Sequence, residues 1–419
     1  MTRKRDENER RATEQAAGER TAESAAGLAY RGPVTLSDRC AIVGVGATPI
    51  TRGTDATTLE LHLEASLAAL ADAGLTPADV DGILPSAVAG RHAEEFVMNL
   101  GLRDLRWSTT VHMGGASLIA SIQDACAAIV TGLASCVLIP AGRRGYSGER
   151  VSTGRSVPEG VMDSTNEFEK PFGNLVAVQW FAQAAMRHMH EYGTTSEQLG
   201  HVAVNSRANA NLNPRALMHG RPMTLADHQG SRMISSPLRL LDCSLESDGA
   251  GAIVVTSVER AADLDSVPVR IGGVAEAHSY PSTSLTQKPD LARVATLTEA
   301  SGRAFAMAGI TPADLDCLLV HEGFTWYVLA ALEAIGVVGP GEGGPFVEEG
   351  HIALGGRLPV NTHGGSLSEG HMSGMNHVIE GVRQLRRTVE PERQVQGCEH
   401  VGVVIEGNFF EGSTLVLRR

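Results

Sequence analysis

Two stretches of this chain, LAALADAGLTPADVDGIL (Leu67–Leu84) and GRAFAMAGITPADLDCLL (Gly302–Leu319), read almost as one. They lie 235 residues apart (302 minus 67). Each reads as a helix closing near Gly74 or Gly309, where glycine can take the left-handed geometry of a helix end. Each continues as Thr-Pro-Ala-Asp, so that Thr76 and Thr311 can cap a short helix with proline in its first position. Each then enters an apolar strand. Chance is a poor explanation, and the repeat implies two related α/β halves.

The sequence on either side follows the same alternation. CAIVGVGATPI from Cys40 is a strand and turn, and an alanine-rich helix at about 119–131 leads into the buried strand SCVLIPAG from Ser135. PVRIGGVAEAHS from Pro268 opens the second half, and VGVVIEGNFFEGSTLVLRR from Val401 closes it as two strands. Helices alternating with apolar strands imply an α/β fold with mostly parallel sheets. The expected division is a tail over 1–37, a first half over 38–265 and a second half over 266–419. The first half carries a less regular insertion over 146–235, placed to face substrate.

The 419 residues are long enough for two or three units sharing large cores. Lys and Arg number 35 against 48 Asp and Glu, a formal charge of −13. That balance argues against a nucleic-acid partner, whose phosphates attract cations. Cys40, Cys126, Cys136, Cys243, Cys317 and Cys398 form no CxxC pair and read as buried thiols in a reducing cytoplasm. No apolar run reaches membrane-spanning length. The opening MTRKRDENERRATEQ has no apolar core and does not read as a signal peptide.

Three clusters could carry chemistry. NTHGGSLSEGHMSGM (Asn361–Met375) gathers His363, Gly364, Gly365, Ser366, Glu369 and His371. Its glycines let a ligand approach backbone amides, and its histidines can exchange protons near neutral pH. The plainer reading is a glycine-rich connector. VHEGFTWYVLAALEAIG from Val320 puts His321 and Glu322 at a strand's C-terminal end, where open α/β sheets hold their sites, with Tyr327 in the helix that follows. A structural histidine is the alternative there. VHMGGASLIASIQDACAAIVTG from Val111 sets Gly115, Ala116 and Ser117 at a helix N-terminus, where a developing oxyanion is stabilised. Ser117 reads more readily as a cap than as a nucleophile, because no activating base is visible. GVGATPI and GEGGPF lack Walker spacing, GVGATPI also fails GxGxxG, and HEGFT lacks the second histidine of HExxH. No compact Cys/His group has metal-site spacing, although His363 and His371 could meet in three dimensions.

At these three clusters the chain resembles the thiolase superfamily over roughly residues 38–419, and within it the sterol-carrier or lipid-transfer thiolase-like branch. The order of GGAS, HEGF and GHMSGM carries the resemblance more than any one motif. It implies two βαβαβαββ halves in five α/β/α/β/α layers, a dimer, and a site between the halves for an acyl-CoA thioester. The departures matter as much. Gly115 stands where thiolases carry the nucleophilic cysteine, and the late catalytic cysteine has no counterpart in VIEGNFFEG. The histidine loops remain, with His371 resembling the histidine of Gly-His-Pro.

This combination resembles the cysteine-less acyl-CoA aldolases, which pair with a small OB-fold protein carrying a zinc ribbon. The resemblance implies carbon–carbon cleavage of a β-hydroxyacyl-CoA, with steroid or other bulky side chains as substrates and no bound cofactor. His321 and His371 would hold the thioester oxygen, Glu369 or Tyr327 would move the hydroxyl proton, and Gly115, Ala116, Ser117, Glu322, His363, Gly364 and Gly365 would line the site. Those aldolases carry tyrosines where this chain has Glu369 and Trp326. A non-covalent acyltransferase or Claisen-type enzyme, and a non-catalytic acyl-CoA-binding or scaffold subunit, are the other readings.

Overall fold

The computed structural model describes residues 36–86, 89–148, 150, 167–279, 285–407 and 409–419. The expected tail lies almost wholly outside them, as do 149 and 151–166 near the start of the insertion. Residues from Leu36 to Arg419 form one compact unit.

The first part of the chain runs β1 (Cys40–Ala47), α1 (Thr58–Asp72), β2 (Gly82–Ile83), α2 (Ala93–Leu100), β3 (Trp107–Ser108), α3 (Ser117–Val130) and β4 (Cys136–Arg144). Then come α4 (Ala177–Tyr192), α5 (Ser196–Asn211), α6 (Leu225–Gly230) and a hairpin of β5 (Met233–Ser235) and β6 (Leu238–Arg239). β7 (Asp248–Ser257), α7 (Val258–Ala261), β8 (Val269–His278), α8 (Ala295–Ala308), β9 (Cys317–Val320) and α9 (Thr325–Ala334) follow. The chain closes with α10 (Gly343–Glu348), α11 (Gly365–Ser368), α12 (Met375–Arg386), β10 (His400–Gly407) and β11 (Glu411–Arg418).

The two repeats occupy equivalent places. Each helix, α1 and α8, leads through a glycine with positive φ (Gly74 at 70°, Gly309 at 69°) into a short 3-10 turn. In each turn the threonine hydroxyl and amide both donate to the aspartate three residues on, Thr76 to Asp79 and Thr311 to Asp314. Strand β2 or β9 follows. One sheet has the order β3-β2-β4-β7-β1-β8-β11-β10-β9. Reading outward from the β1–β8 junction, β1-β7-β4-β2 mirrors β8-β11-β10-β9. The junction is slight, pairing Ala41 with Arg270 and Ile42 with Val269.

The sheet is mixed, which corrects the expectation of mostly parallel strands. Only the β2–β3, β2–β4 and β9–β10 pairs are parallel among the described residues. The cause lies at the ends of each repeat. Its first strand runs antiparallel to its last, β1 to β7 and β8 to β11, and β10 turns straight back into β11.

Layering follows from which faces are apolar. Ala41 and Val43 of β1 pack with Leu61, Ala65 and Ala69 of α1 on an outer face. Cys40, Ile42 and Val45 point the other way, into a central core shared with Ile119 and Ile122 of α3 and Val378, Ile379 and Val382 of α12. That alternation is the period-2 pattern of a strand buried on both sides. Helices α3 and α12 each touch strands of both repeats, and α8 covers β8 and β11 from outside. The result is α1, strands, α3 with α12, strands, and α8 with α9: five layers, as the resemblance implied. The insertion is more regular than its sequence suggested. VQWFAQAAMRHMHEYG forms most of the sixteen-residue α4, and α5 is equally long. Both pack on the outer core of the second repeat, where Trp180, Phe181 and Leu199 meet Trp326 and Phe324. The cysteines are free thiols, all buried except the partly exposed Cys243.

Candidate active site

The site lies at the C-terminal end of the parallel pair β9–β10, where the chain leaves the ladder and its backbone groups become available. His321 follows β9 directly, and its amide donates to the Val404 carbonyl of β10 at 3.0 Å. The loop carrying His363 and His371 is pinned beside it. Asn361, at φ 51°, accepts from the Val320 amide and donates to the Val320 carbonyl. From α5, Asn209 donates to the carbonyls of Val360 and Asn361. Ser247 accepts from the His371 amide at 2.8 Å.

The structure brings the two sequence-predicted histidines together. Nε2 of His321 lies 3.2 Å from Nε2 of His371. The row continues through a residue that sequence reading missed. The His377 ring, on the first turn of α12, stands edge-on to both His321 (centroids 5.4 Å apart) and His363 (4.6 Å). Its Nε2 meets Glu322 at 3.1 Å, and Glu322 also accepts from the Leu367 amide. Gly365 has to be glycine: it sits at φ 61°, and a Cβ there would overlap the Glu322 carboxylate. Glu369 closes the row, 3.7 Å from His363 and held by the side-chain amides of Asn213 and Asn376. His363 and His371 do not pair with each other; each meets a different imidazole.

These surroundings keep His321, His363 and His371 neutral. Burial, with Arg143 and His377 nearby, holds His371 down at about 3. Burial also holds His321 well below the ordinary histidine range, helped by His371, His377 and Arg143. His363 is pushed the same way by burial, then by His377 and three arginines. Glu369 moves up because burial outweighs the donated amides. Neutral imidazoles offer one N–H and one lone pair each. Both ring nitrogens of His363 lack a hydrogen bond, as do the Ser366 hydroxyl and the Tyr327 phenol. An unsatisfied buried polar group costs about 1–3 kcal/mol, so such a set needs a reason.

The turn before α3 reaches the site from the other repeat. Ser413 donates to the Ala116 carbonyl at 3.1 Å, which seats the turn on the β10–β11 hairpin. A Cβ at Gly115 would stand 2.5 Å from the Glu406 carbonyl oxygen. The position therefore has room for hydrogen only. Ser117 accepts from the Met113 amide at 2.9 Å and donates to the Gly114 carbonyl at 2.8 Å. Its hydroxyl is spent on the backbone of the turn before α3 and does not cap the helix, whose N-cap is Ala116. Tyr327 is fully buried, and burial raises its phenol well above the ordinary range, with Glu406 adding to the shift. No hydrogen bond joins it to the histidines among the described residues. Asn209, Asn213 and Asn376 had no signal in the sequence. His377 had a weak one, a histidine just past Gly374 at the start of a helix.

Residues 275–419 match a family model described as thiolase C-terminal domain-like. The chain is 40% identical to a 17-hydroxy-3-oxo-4-pregnene-20-carboxyl-CoA lyase of Mycobacterium tuberculosis, over 91% of this chain and all of that one. It is 38% identical to a steroid side-chain-cleaving aldolase of Thermomonospora curvata, over 84% of this chain and 92% of the relative. A solved structure named Ltp2-ChsH2(DUF35) aldolase superposes with a TM-score of 0.86 at 37% identity, covering 92% of this chain and 98% of that one. With a glycine in the nucleophile's place and the histidine row intact, the chain belongs to the thiolase superfamily, in its branch of thiolase-like acyl-CoA lyases and aldolases.

Proposed function

We propose that this protein cleaves the Cα–Cβ bond of a β-hydroxyacyl-CoA thioester by a retro-aldol step, with no acyl-enzyme. The observation that carries this reading is the pairing of an unfillable Gly115 with a neutral His321–His371 pair. Covalent thiolysis needs a side-chain nucleophile at that turn, and none fits there. Retro-aldol cleavage needs instead a group that stabilises charge on the thioester oxygen. The β-hydroxyl loses its proton, its carbon becomes a carbonyl, and the Cα–Cβ electron pair passes into the thioester as an enolate. Protonation of Cα then leaves a shortened acyl-CoA. His321 and His371 receive the thioester oxygen, converging on it as neutral donors. Glu322 orients the row through His377, and Glu369 supports it as an acid–base carboxyl beside His363. Gly115, Ala116, Gly364 and Gly365 line the approach, and the hydroxyl proton is assigned to Glu369 or Tyr327.

The names of the two relatives favour a steroid bearing a short acyl-CoA side chain as substrate. The CoA thioester is the substrate and no resident cofactor enters the scheme. The solved relative's name pairs it with a second component, and we extend a small partner protein of that kind to this chain, together with a homodimeric core and a cytoplasmic setting. No helix among the described residues is long and apolar enough to cross a membrane.

The test is mass spectrometry of products from matched β-hydroxyacyl-CoA and β-ketoacyl-CoA panels, with and without the partner. A carbonyl fragment plus a shortened acyl-CoA from the hydroxy substrate is expected. CoA-dependent cleavage of the keto substrate alone would refute the reading.

A further inference from the structure

Residues 244–248 lead into β7 of the first repeat and are stitched to both loops that carry the site histidines. The Ser244 amide donates to the Gly323 carbonyl and the Leu245 amide to the Ser366 carbonyl, each at 2.9 Å. At Ser247 the side chain takes over. Its hydroxyl accepts from the His371 amide at 2.8 Å and donates to the His371 carbonyl at 3.3 Å. Ser247 and Asp248 are both fully buried. Four donors converge on the Asp248 carboxylate: the amides of Tyr146 and Ser147 at 2.9 Å, the Ser147 hydroxyl at 2.7 Å and the Gly53 amide at 3.1 Å. The Asp248 main chain also pairs with Thr51 in both directions. Hydrogen bonds to a charged acceptor are the strong ones, so Ser247 hangs from a firm anchor in the first repeat.

The two histidines that pair are held in different ways. His321 has its amide in the ladder, on the Val404 carbonyl at 3.0 Å. His371 lies outside every helix and strand, between Gly370 at φ 149° and the Ser373–Gly374 turn at 53° and 84°. There no ladder fixes the main chain, and the Ser247 hydroxyl closes on both its amide and its carbonyl instead. The 3.2 Å between the two Nε2 atoms therefore depends on a side chain of the other repeat. Two donors that converge on one oxygen tolerate little misplacement, and a shift of about 1 Å can cost on the order of a hundredfold in rate.

We propose that Ser247 is a positioning residue of the cleavage, holding the His371 main chain so that its imidazole and that of His321 converge on the thioester oxygen. This rests on the lyase reading above. Asp248 is the anchor behind Ser247, and it couples Gly53, Tyr146 and Ser147 to the histidine pair across the boundary between the repeats. A serine that only joined the two halves would change stability and leave the chemistry alone. A serine that places His371 changes the rate, and does so only while His371 is there to be placed.

The experiment is a double-mutant cycle. Wild type, Ser247→Ala, His371→Ala and the variant carrying both changes are compared in single-turnover cleavage of a β-hydroxyacyl-CoA, with thioester affinity and thermal midpoint measured on each. Ser247→Ala is expected to slow cleavage by about 10–100-fold while binding the thioester as wild type does. Adding it to His371→Ala should cost nothing further, because residues that act through one another are not additive. Ser66→Ala is the matched control: it removes an equally buried hydroxyl, which donates to the His62 carbonyl at 2.7 Å in α1, and should leave the rate unchanged. Cleavage by Ser247→Ala at the wild-type rate, or the same loss with and without His371, would overturn the assignment and leave the lyase reading standing. Absence of cleavage by wild type would overturn both. If Ser247→Ala does not fold, Ser147→Ala, which strips one donor from the anchor at an exposed position, decides. Slowing that disappears in the His371→Ala background supports the assignment, and a wild-type rate overturns it.

Discussion

Two groups of buried histidines in this molecule have opposite surroundings. His188 has a partner on each ring nitrogen, Thr194 at 2.7 Å and Glu333 at 3.2 Å. His228 meets Asp242 at 2.8 Å and Gln229 at 3.3 Å, and Asp242 also accepts from Thr325. These two tie the inserted helices and hairpin to α9. Of the site histidines only His377 is fastened in that way, to Glu322 and Asn376; His321 and His371 face each other, and His363 has no hydrogen bond at all. A satisfied buried histidine is a fastener. A row of neutral, under-satisfied imidazoles opening on a half-buried edge at His321 and His371 is kept at a cost in stability and is available to a ligand.

The largest effects should separate the two groups. His371→Ala or His321→Ala should lower cleavage by about 10²–10⁴-fold with little change in thermal midpoint. His228→Ala should do the reverse, costing about 1–3 kcal/mol because Asp242 loses one of its buried hydrogen-bond partners, with only Thr325 and the Arg239 amide left to it. Calorimetry beside steady-state kinetics checks both, and a His228→Ala protein as stable as wild type would erase the distinction.

Gly115→Cys sharpens the comparison from the other repeat. The added side chain collides with the Glu406 carbonyl, so we expect a loss of about 1–3 kcal/mol from overpacking and no thiolase activity. Intact-protein mass spectrometry after exposure to an acyl-CoA is the check; a stable variant that accumulates an acyl adduct would contradict it.

Acid should weaken the fold through the site histidines. Each is neutral when folded and takes up a proton near its ordinary value of 6.5 when unfolded, whereas His371 resists until about 3. Their stabilising balance is complete above that ordinary range and is lost as pH falls below it. The thermal midpoint should therefore decline from pH 7 to 5, less steeply in His371→Gln. A flat profile would show that folding does not shift the titration of these rings. The smallest effect concerns Tyr327. Removing an unpartnered buried hydroxyl in Tyr327→Phe should leave stability unchanged or slightly raised, with the loss confined to turnover.

Much of this was legible in the sequence because it is local. The Thr-Pro-Ala-Asp repeats announce two equivalent units, since a glycine stop, a capped turn and an apolar strand are all written within eighteen residues. His321 and His371 stand out because each follows a strand or sits among glycines. Asn213 and Glu369 meet across 156 positions and Glu322 and His377 across 55, and one sequence carries no trace of such pairs. Strand direction escapes the sequence for a related reason. Alternation of helix and strand describes the middle of each repeat but not its first and last strands, whose antiparallel pairing is set by long-range closure.

The most direct test of the account is single-turnover cleavage of a β-hydroxyacyl-CoA by wild type and His371→Ala, with thioester affinity and thermal midpoint recorded on the same samples. The account predicts that the variant folds normally and cleaves at least a hundredfold more slowly, on the order expected for a lost charge-stabilising group. A variant that cleaves at the wild-type rate would mean that the histidine row is a fastener after all.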